Sequence, residues 1–387
     1  MGALSGTRVV EMAAIGPVPF CGMMLSDMGA EVLRIDRLGD ASTPFAVDPR
    51  QDVIGRGRRS IGVDLKNPAG LEVAAVLIRG ARVLLEGSRP GVMERLGLGP
   101  EDCWRGNLKL IYGRATGWGQ TGELALRAGH DINYLALSGV LHGIGRKGEP
   151  PVPPINLIGD YGGGGMLLTV GVLAALIESE RSGKGQVVDA AMVDGASLLQ
   201  TVLYGLTAMG QWRAERGSNF LDSGCFYYDV YETADGKFMS VGALEAKFFA
   251  ALLRGLELRG EDFPDRENPR LWDAYRAKFR NAFRARTQAA WTQIFSATDA
   301  CVVPVLSMNE ATQDRHARER QAFTEVGGIT QPSPAPRFSR THSEVRSPPP
   351  MNGAHTREIL EEHGFGAAEI ERLQKIRAID IAQTPSE

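Results

Sequence analysis

The chain has no cysteines placed to act together. Cys21, Cys103, Cys225 and Cys301 are isolated, without a CxxC or a Cys/His spacing of the metal-binding kind. The six histidines are scattered and no HExxH occurs. A reduced, metal-free, cytoplasmic protein is expected. Excess charge is missing too. Forty-three Lys+Arg against 46 Asp+Glu leave a net charge of −3, so no strong basic field for nucleic acid is expected. The N-terminus has no charged segment leading into an apolar run, so no secretory signal is expected. The most apolar stretch, 162–177, has 16 residues, short of the roughly 20 of a membrane span. A buried core helix is expected there, and no membrane span. The last five residues, Gln383-Thr384-Pro385-Ser386-Glu387, are not a peroxisomal address of the SKL kind. The turn Ala13-Ala14-Ile15-Gly16-Pro17 lacks the GxGxxG fingerprint, and there is no Walker A sequence. Neither a NAD nor an ATP site is expected.

What is present is an ordinary globular composition. Of 387 residues, 43% are hydrophobic and 23% charged, enough for one large or two ordinary domains. Glycine is abundant, 47 residues, and clusters near turns and ahead of helices. β-Branched runs at 8–12, 31–35, 60–65, 82–86, 109–112 and 187–192 alternate with helical patterns at 20–28 and 68–79, and with one starting near Gly162. That alternation predicts βαβ units and a large Rossmann-like α/β domain with a mostly parallel sheet. Later the pattern changes. A hairpin is predicted at 230–233 and 238–241, with helices at 246–256, 271–284 and 288–295. The expected layout is a large domain at 1–195, completed by 331–387, and a smaller α+β domain at 225–315. Linkers are expected at 196–224 and 316–330. Prolines between 327 and 350 predict an extended surface course, followed by helices at 355–363 and 367–375.

Two stretches offer chemistry. In Gly129-His130-Asp131-Ile132-Asn133-Tyr134 a histidine stands just ahead of an apolar helical pattern. In Asn156-Leu157-Ile158-Gly159-Asp160-Tyr161 a carboxylate stands just ahead of Gly162 to Gly165. Both residues are placed as helix N-caps would be. Both are equally placed as an acid/base pair beside helix-opening N–H groups that suit developing negative charge. Arg37, Lys66 and Arg89 follow predicted strands, where α/β sheets bind ligands, and suit phosphates.

The segment Gly129-His130-Asp131-Ile132-Asn133-Tyr134 resembles α-methylacyl-CoA racemases, within the family III CoA-transferase superfamily. So do Arg89-Pro90-Gly91-Val92-Met93-Glu94-Arg95-Leu96-Gly97, Gly117-Trp118-Gly119-Gln120-Thr121-Gly122, Gly183-Lys184-Gly185-Gln186-Val187-Val188-Asp189-Ala190 and Asp299-Ala300-Cys301-Val302-Val303-Pro304-Val305-Leu306. These blocks keep the family's order over nearly the whole chain. The resemblance implies the family III CoA-transferase fold and an interlocked homodimer. It implies an isomerase of branched-chain lipid metabolism that epimerises 2-methylacyl-CoA thioesters through an enolate. CoA would be part of the substrate, and no cofactor is expected.

Under this resemblance His130 and Asp160 are the two bases. The Asp131 N–H holds the thioester oxygen, and Glu245, from the other subunit, orients the histidine. CoA and substrate contacts are expected at Arg37, Arg59, Val63, Asp64, Leu65, Lys66, Glu86 and Arg89, and at Gly129, Ile132, Asn133 and Tyr134. The chain departs from the family at Ser223-Gly224-Cys225-Phe226 and at Ala246-Lys247, where a reshaped acyl pocket is expected. Two rivals remain. In a family III CoA-transferase the aspartate at 160 is a nucleophile, and a non-catalytic acyl-CoA binder would use the same fold.

Overall fold

A computed structural model describes residues 1–38 and 48–381. The C-terminal residues from 382, with the stretch read for a peroxisomal address, lie outside the described residues. The chain forms two compact units. The first comprises 1–138, 155–199 and 318–387; the second comprises 139–154 and 200–317.

The first unit is built on β1 (Arg8–Met12), β2 (Glu31–Arg37), β3 (Arg58–Val63), β4 (Val83–Glu86), β5 (Ile111–Thr116) and β6 (Val187–Ala191), all joined in parallel. β1 to β5 are buried on both faces, while the edge strand β6 is exposed at Val187 and Asp189. Successive residues still point oppositely. Val10, Leu33, Ile61 and Leu84 enter one core, while Val9, Val32, Val83 and Ile111 enter the other. The helix Pro68–Arg79 begins where Asn67 Oδ1 accepts the Ala69 N–H at 3.0 Å, with Pro68 in its first turn.

In the second unit, β7 (Tyr228–Glu232), β8 (Phe238–Gly242) and β9 (Val302–Pro304) form an antiparallel sheet. The helices Ala246–Gly255, Trp272–Phe283 and Gln288–Phe295 pack on it through Phe226, Phe249, Phe279, Phe283 and Trp291. The expected linkers are folded. Gly139 to Pro154 was expected in the large domain and 200–224 as a linker, yet both segments belong to this unit. Local pattern missed them because long-range polar contacts hold them. Arg146 pairs with the buried Asp229, and Arg216 Nη2 donates to the Glu149 carbonyl at 2.7 Å.

The chain then returns to the first unit. β10 (Phe323–Val326) and β11 (Ile329–Pro332) form a hairpin across Gly327 and Gly328. Both glycines have positive φ, +60° and +78°, as a two-residue turn of this kind requires. An extended course was expected from Gly327, but the hairpin occupies its start. The helices Thr356–Glu362 and Ala367–Lys375 cover one sheet face with Ile359, Leu360, Ile370 and Leu373. β12 (Ile379–Asp380) closes the edge antiparallel to β3, so the strand order is β12-β3-β2-β1-β4-β5-β6.

The helix expected to start near Gly162 starts earlier. Leu157–Met166 is a π-helix of 10 residues, continued by the α-helix Leu167–Ser182. The whole run has 26 residues and is long and apolar enough to cross a membrane by length and composition, which corrects the 16-residue reading. Its Leu168 and Val172 are fully buried against the sheet.

Candidate active site

Neighbouring strands leave in opposite directions where β1 lies beside β4. In α/β sheets ligands bind beyond the carboxyl ends of the strands at such a point. A cleft of about 180 Å³ opens there. Its walls come from Ile15 to Pro17 after β1, from Gly87, Arg89 and Pro90 after β4, and from Ala115 to Trp118 at the end of β5. Gly129, His130, Tyr134 and Asp160 complete it. A larger hollow of about 720 Å³ lies in the second unit and contains none of the nominated residues.

His130 is exposed in the cleft as the N-cap residue of the helix Asp131–Leu137. Its own N–H donates to Asn133 Oδ1 at 3.0 Å, which fixes the turn. Asp131 opens the helix, so its N–H has no acceptor within it. Its carboxylate is buried, and Oδ1 accepts the Asp160 N–H at 2.8 Å. One side chain thus ties the two chemistry-bearing segments together.

Asp160 was expected ahead of a helix but sits inside the first turn of the π-helix. π-Turns recur at functional sites because they re-aim a side chain. The glycines around it are there for close approach. A Cβ on Gly163 would stand 2.7 Å from the Ala196 nitrogen, and one on Gly159 would stand 2.3 Å from Asp131 Oδ1. The Asp160 carboxylate accepts from Asn156 Nδ2 at 3.1 Å. Burial, then the charge of Asp131, raises its pKa; the Asn156 bond and His130 pull the other way. The net shift is upward. Tyr134 packs edge-on against Trp118 at 4.8 Å and donates its hydroxyl to the Gly129 carbonyl. Burial pushes its pKa up to about 12, so it stays a neutral donor.

The remaining nominations divide. Arg37 and Lys66 are exposed at the ends of β2 and β3, beside Val63, Asp64 and Leu65. Arg37 lies one strand from β1 and the Val63 to Lys66 group two, roughly 5 and 10 Å at ordinary strand spacing. The Val63 side chain is buried in the core, so only its backbone is open to a ligand. Ile132 is exposed. Arg59 does not join the site. It is spent on Glu31 at 3.0 Å, Glu358 at 3.0 Å and Glu362 at 2.8 Å, which removes the free charge a phosphate would need. Glu86 does not reach the cleft either. It is 2% exposed and faces Arg114.

Glu245 is exposed as N-cap of Ala246–Gly255 in the second unit. Cys225 and Phe226 are fully buried in that unit's aromatic core. Cys225 and Phe226 are therefore packing residues, whereas Ser223 lines the larger hollow and Ala246 and Lys247 are exposed. Sequence reasoning missed Gly16, Trp118 and Arg127 as cleft residues. Gly16 carried a signal. Its φ is +70°, and a Cβ there would stand 3.3 Å from the Asp160 carboxyl carbon. Trp118 was in view as a motif residue without a role. Among the described residues, no three His, Cys, Asp or Glu side chains gather to hold a metal ion.

Residues 4–356 match CoA-transferase family III. The chain belongs to that family. It is 48% identical to the alpha-methylacyl-CoA racemase of Mus musculus, over 97% of each chain. It is 45% identical to that of Homo sapiens, over 98% of each. The succinyl-CoA:glutarate CoA-transferase of Mus musculus is 29% identical, over 94% of this chain and 86% of that one. The crystal structure of a CaiB/BaiF family protein from Brucella suis superposes with a TM-score of 0.78 at 25% identity, covering 94% of this chain and 99% of that chain.

Proposed function

We propose that the protein is an α-methylacyl-CoA racemase, an isomerase that interconverts (2R)- and (2S)-2-methylacyl-CoA thioesters. The degree of likeness carries this reading: 45–48% identity to racemases over nearly the full length, against 29% to a transferase of the same family. The chemistry of the cleft supports it. An α-proton next to a thioester is weakly acidic, so its removal needs a placed base and a donor for the enolate oxygen. His130 takes the proton on one face. Asp160, whose pKa burial raises, returns one on the other. The Asp131 N–H holds the oxygen, and the Asp131 carboxylate fixes the Asp160 backbone. Arg37, Lys66 and Arg89 take the phosphates of CoA, and no further cofactor takes part. A homodimer supplies Glu245 to orient His130. The apolar Leu199, Val202 and Tyr204, exposed on the single chain, are the kind of surface a second copy covers.

The transferase reading needs Asp160 as an ionised nucleophile. A two-base racemase also uses the Asp160 carboxylate, as the base in one of its two directions, so Asp160 does not separate the two readings. Deuterium oxide separates the two. A single 2-methylacyl-CoA epimer should gain deuterium at Cα while losing optical purity, with no acceptor acid present. His130→Gln and Asp160→Asn should each suppress this. Full epimerisation by His130→Gln would sink the two-base mechanism. CoA movement only upon adding an acceptor acid would favour the transferase.

A further inference from the structure

Glu86 ends β4, and the turn after it carries Gly87, Arg89 and Pro90 into the cleft wall. The Glu86 carboxylate holds the start of that turn. Oε2 accepts the Ser88 N–H at 2.6 Å, and Oε1 lies 3.1 Å from Arg114 Nε. Arg114 is also buried, on the neighbouring β5. Its Nη1 donates to Gln120 Oε1 at 3.0 Å. Its Nη2 donates to Glu94 in the short helix Val92–Arg95. Its plane lies over the Tyr112 ring, 4.8 Å from the centroid. One guanidinium therefore joins three segments: the end of β4, the helix beyond the cleft turn, and the 117–120 loop that carries Trp118. The turn and Trp118 line the cleft, whereas Glu86 and Arg114 do not.

We propose that Glu86 and Arg114 are a positioning pair, which holds the 87–90 turn and the Trp118 loop in register as one wall of the cleft without touching substrate. The proposal rests on the reading that this cleft receives the acyl-CoA. The two terminal nitrogens of one planar fork donate to Gln120 and Glu94 while its charge pairs with Glu86; the ammonium of a lysine is a point charge. The groups facing Glu86 are Arg114 from β5, Glu94 from the short helix, the Tyr112 hydroxyl and the Ser88 N–H. Burial pushes the Glu86 carboxyl up to about 7, while the Ser88 N–H and Arg114 pull it down and Glu94 adds to the rise. Above neutrality the pair is charged and tight. Below neutrality Glu86 takes a proton and the clamp loosens.

The test uses the full chain and two variants, Glu86→Gln and Arg114→Lys. Amide hydrogen exchange is followed at 87–90 and 117–120 without substrate, and epimerisation kinetics are followed from pH 6 to 8. Both segments should exchange faster together in each variant. KM for the acyl-CoA should rise about tenfold with kcat little changed, the pattern of lost uniform binding by a wall that holds the substrate away from the reacting carbon. Wild-type KM should rise below pH 7, and this pH dependence should be missing in Glu86→Gln. A merely structural defect would lower the active fraction, and so the apparent kcat, while leaving KM alone. Unchanged KM, with faster exchange confined to the altered segment, overturns the proposal. A wild type that exchanges no α-proton would refute the racemase reading instead. The hydrogen-exchange arm needs no turnover and decides the clamp in either case.

Discussion

Gly195→Ala is the sharpest probe of how Asp160 is held. Gly195 lies in the helix Met192–Leu199, packed directly against the π-helix. A Cβ there would stand 1.9 Å from the Gly163 carbonyl oxygen and 2.7 Å from its Cα. Both neighbours are backbone, so no rotamer change relieves the clash; the two helices must separate by an ångström or more. Overpacking of this kind costs about 1–3 kcal/mol, and here the upper end applies because backbone meets backbone. Alanine recovers about 1 kcal/mol of helix propensity. The net loss is about 2 kcal/mol, or several degrees of melting temperature in a unit of this size. Activity should fall further than stability. The displaced turn carries Asp160, and a 1 Å misplacement costs on the order of a hundredfold in rate. Gly162→Ala is the control, since its Cβ would meet Leu157 O at 3.2 Å and a leucine methyl at 3.6 Å. Thermal unfolding and epimerisation kcat are measured on both. A Gly195→Ala protein that melts and turns over like wild type would refute the close-approach explanation of the glycine run.

Four further outcomes follow from the site and the core. Asp131→Asn removes a negative neighbour that raises the Asp160 pKa, so the Asp160-dependent limb of the pH–rate profile should move to lower pH. Because the folded Asp160 holds its proton to higher pH than the unfolded chain, stability should fall as pH rises from the ordinary aspartate value through the folded one; Asp160→Asn should flatten that slope in denaturant titrations. Arg59→Ala breaks three part-exposed ion pairs and should cost about 1 kcal/mol of stability while leaving CoA affinity unchanged by calorimetry; weaker CoA binding would restore Arg59 to the site. Phe226→Ala should destabilise the second unit by about 3–5 kcal/mol, and the range of acyl chains accepted should stay the same.

The sequence by itself determined the strand and helix alternation of the large domain and the stretches that carry the chemistry. Parallel strands buried on both faces favour apolar and β-branched residues, so β1 to β5 were legible, and the edge strand β6 was legible from its Val187-Val188 pair. Helices such as Pro68–Arg79 and Gln288–Phe295 were legible from their caps and apolar spacing. These signals are local: each depends on residues within a turn or two. His130 and Asp160 were legible as an ionisable pair ahead of apolar helices, and the family resemblance gave them roles. What only the tertiary structure decided is which groups meet across the chain. Arg59 looked like a phosphate ligand until Glu362, 303 residues away, took its charge. Glu86 looked like a substrate contact until Arg114 on the next strand turned it inward. Gly16 looked like a turn without a fingerprint, yet it leaves room for the Asp160 carboxylate. The wide π-turn itself was hidden, because glycine is a poor helix former and only backbone contact with Met192–Leu199 makes it favourable. Charge neutralisation and backbone proximity are pairwise and non-local, and no periodicity in one segment records its partner in another.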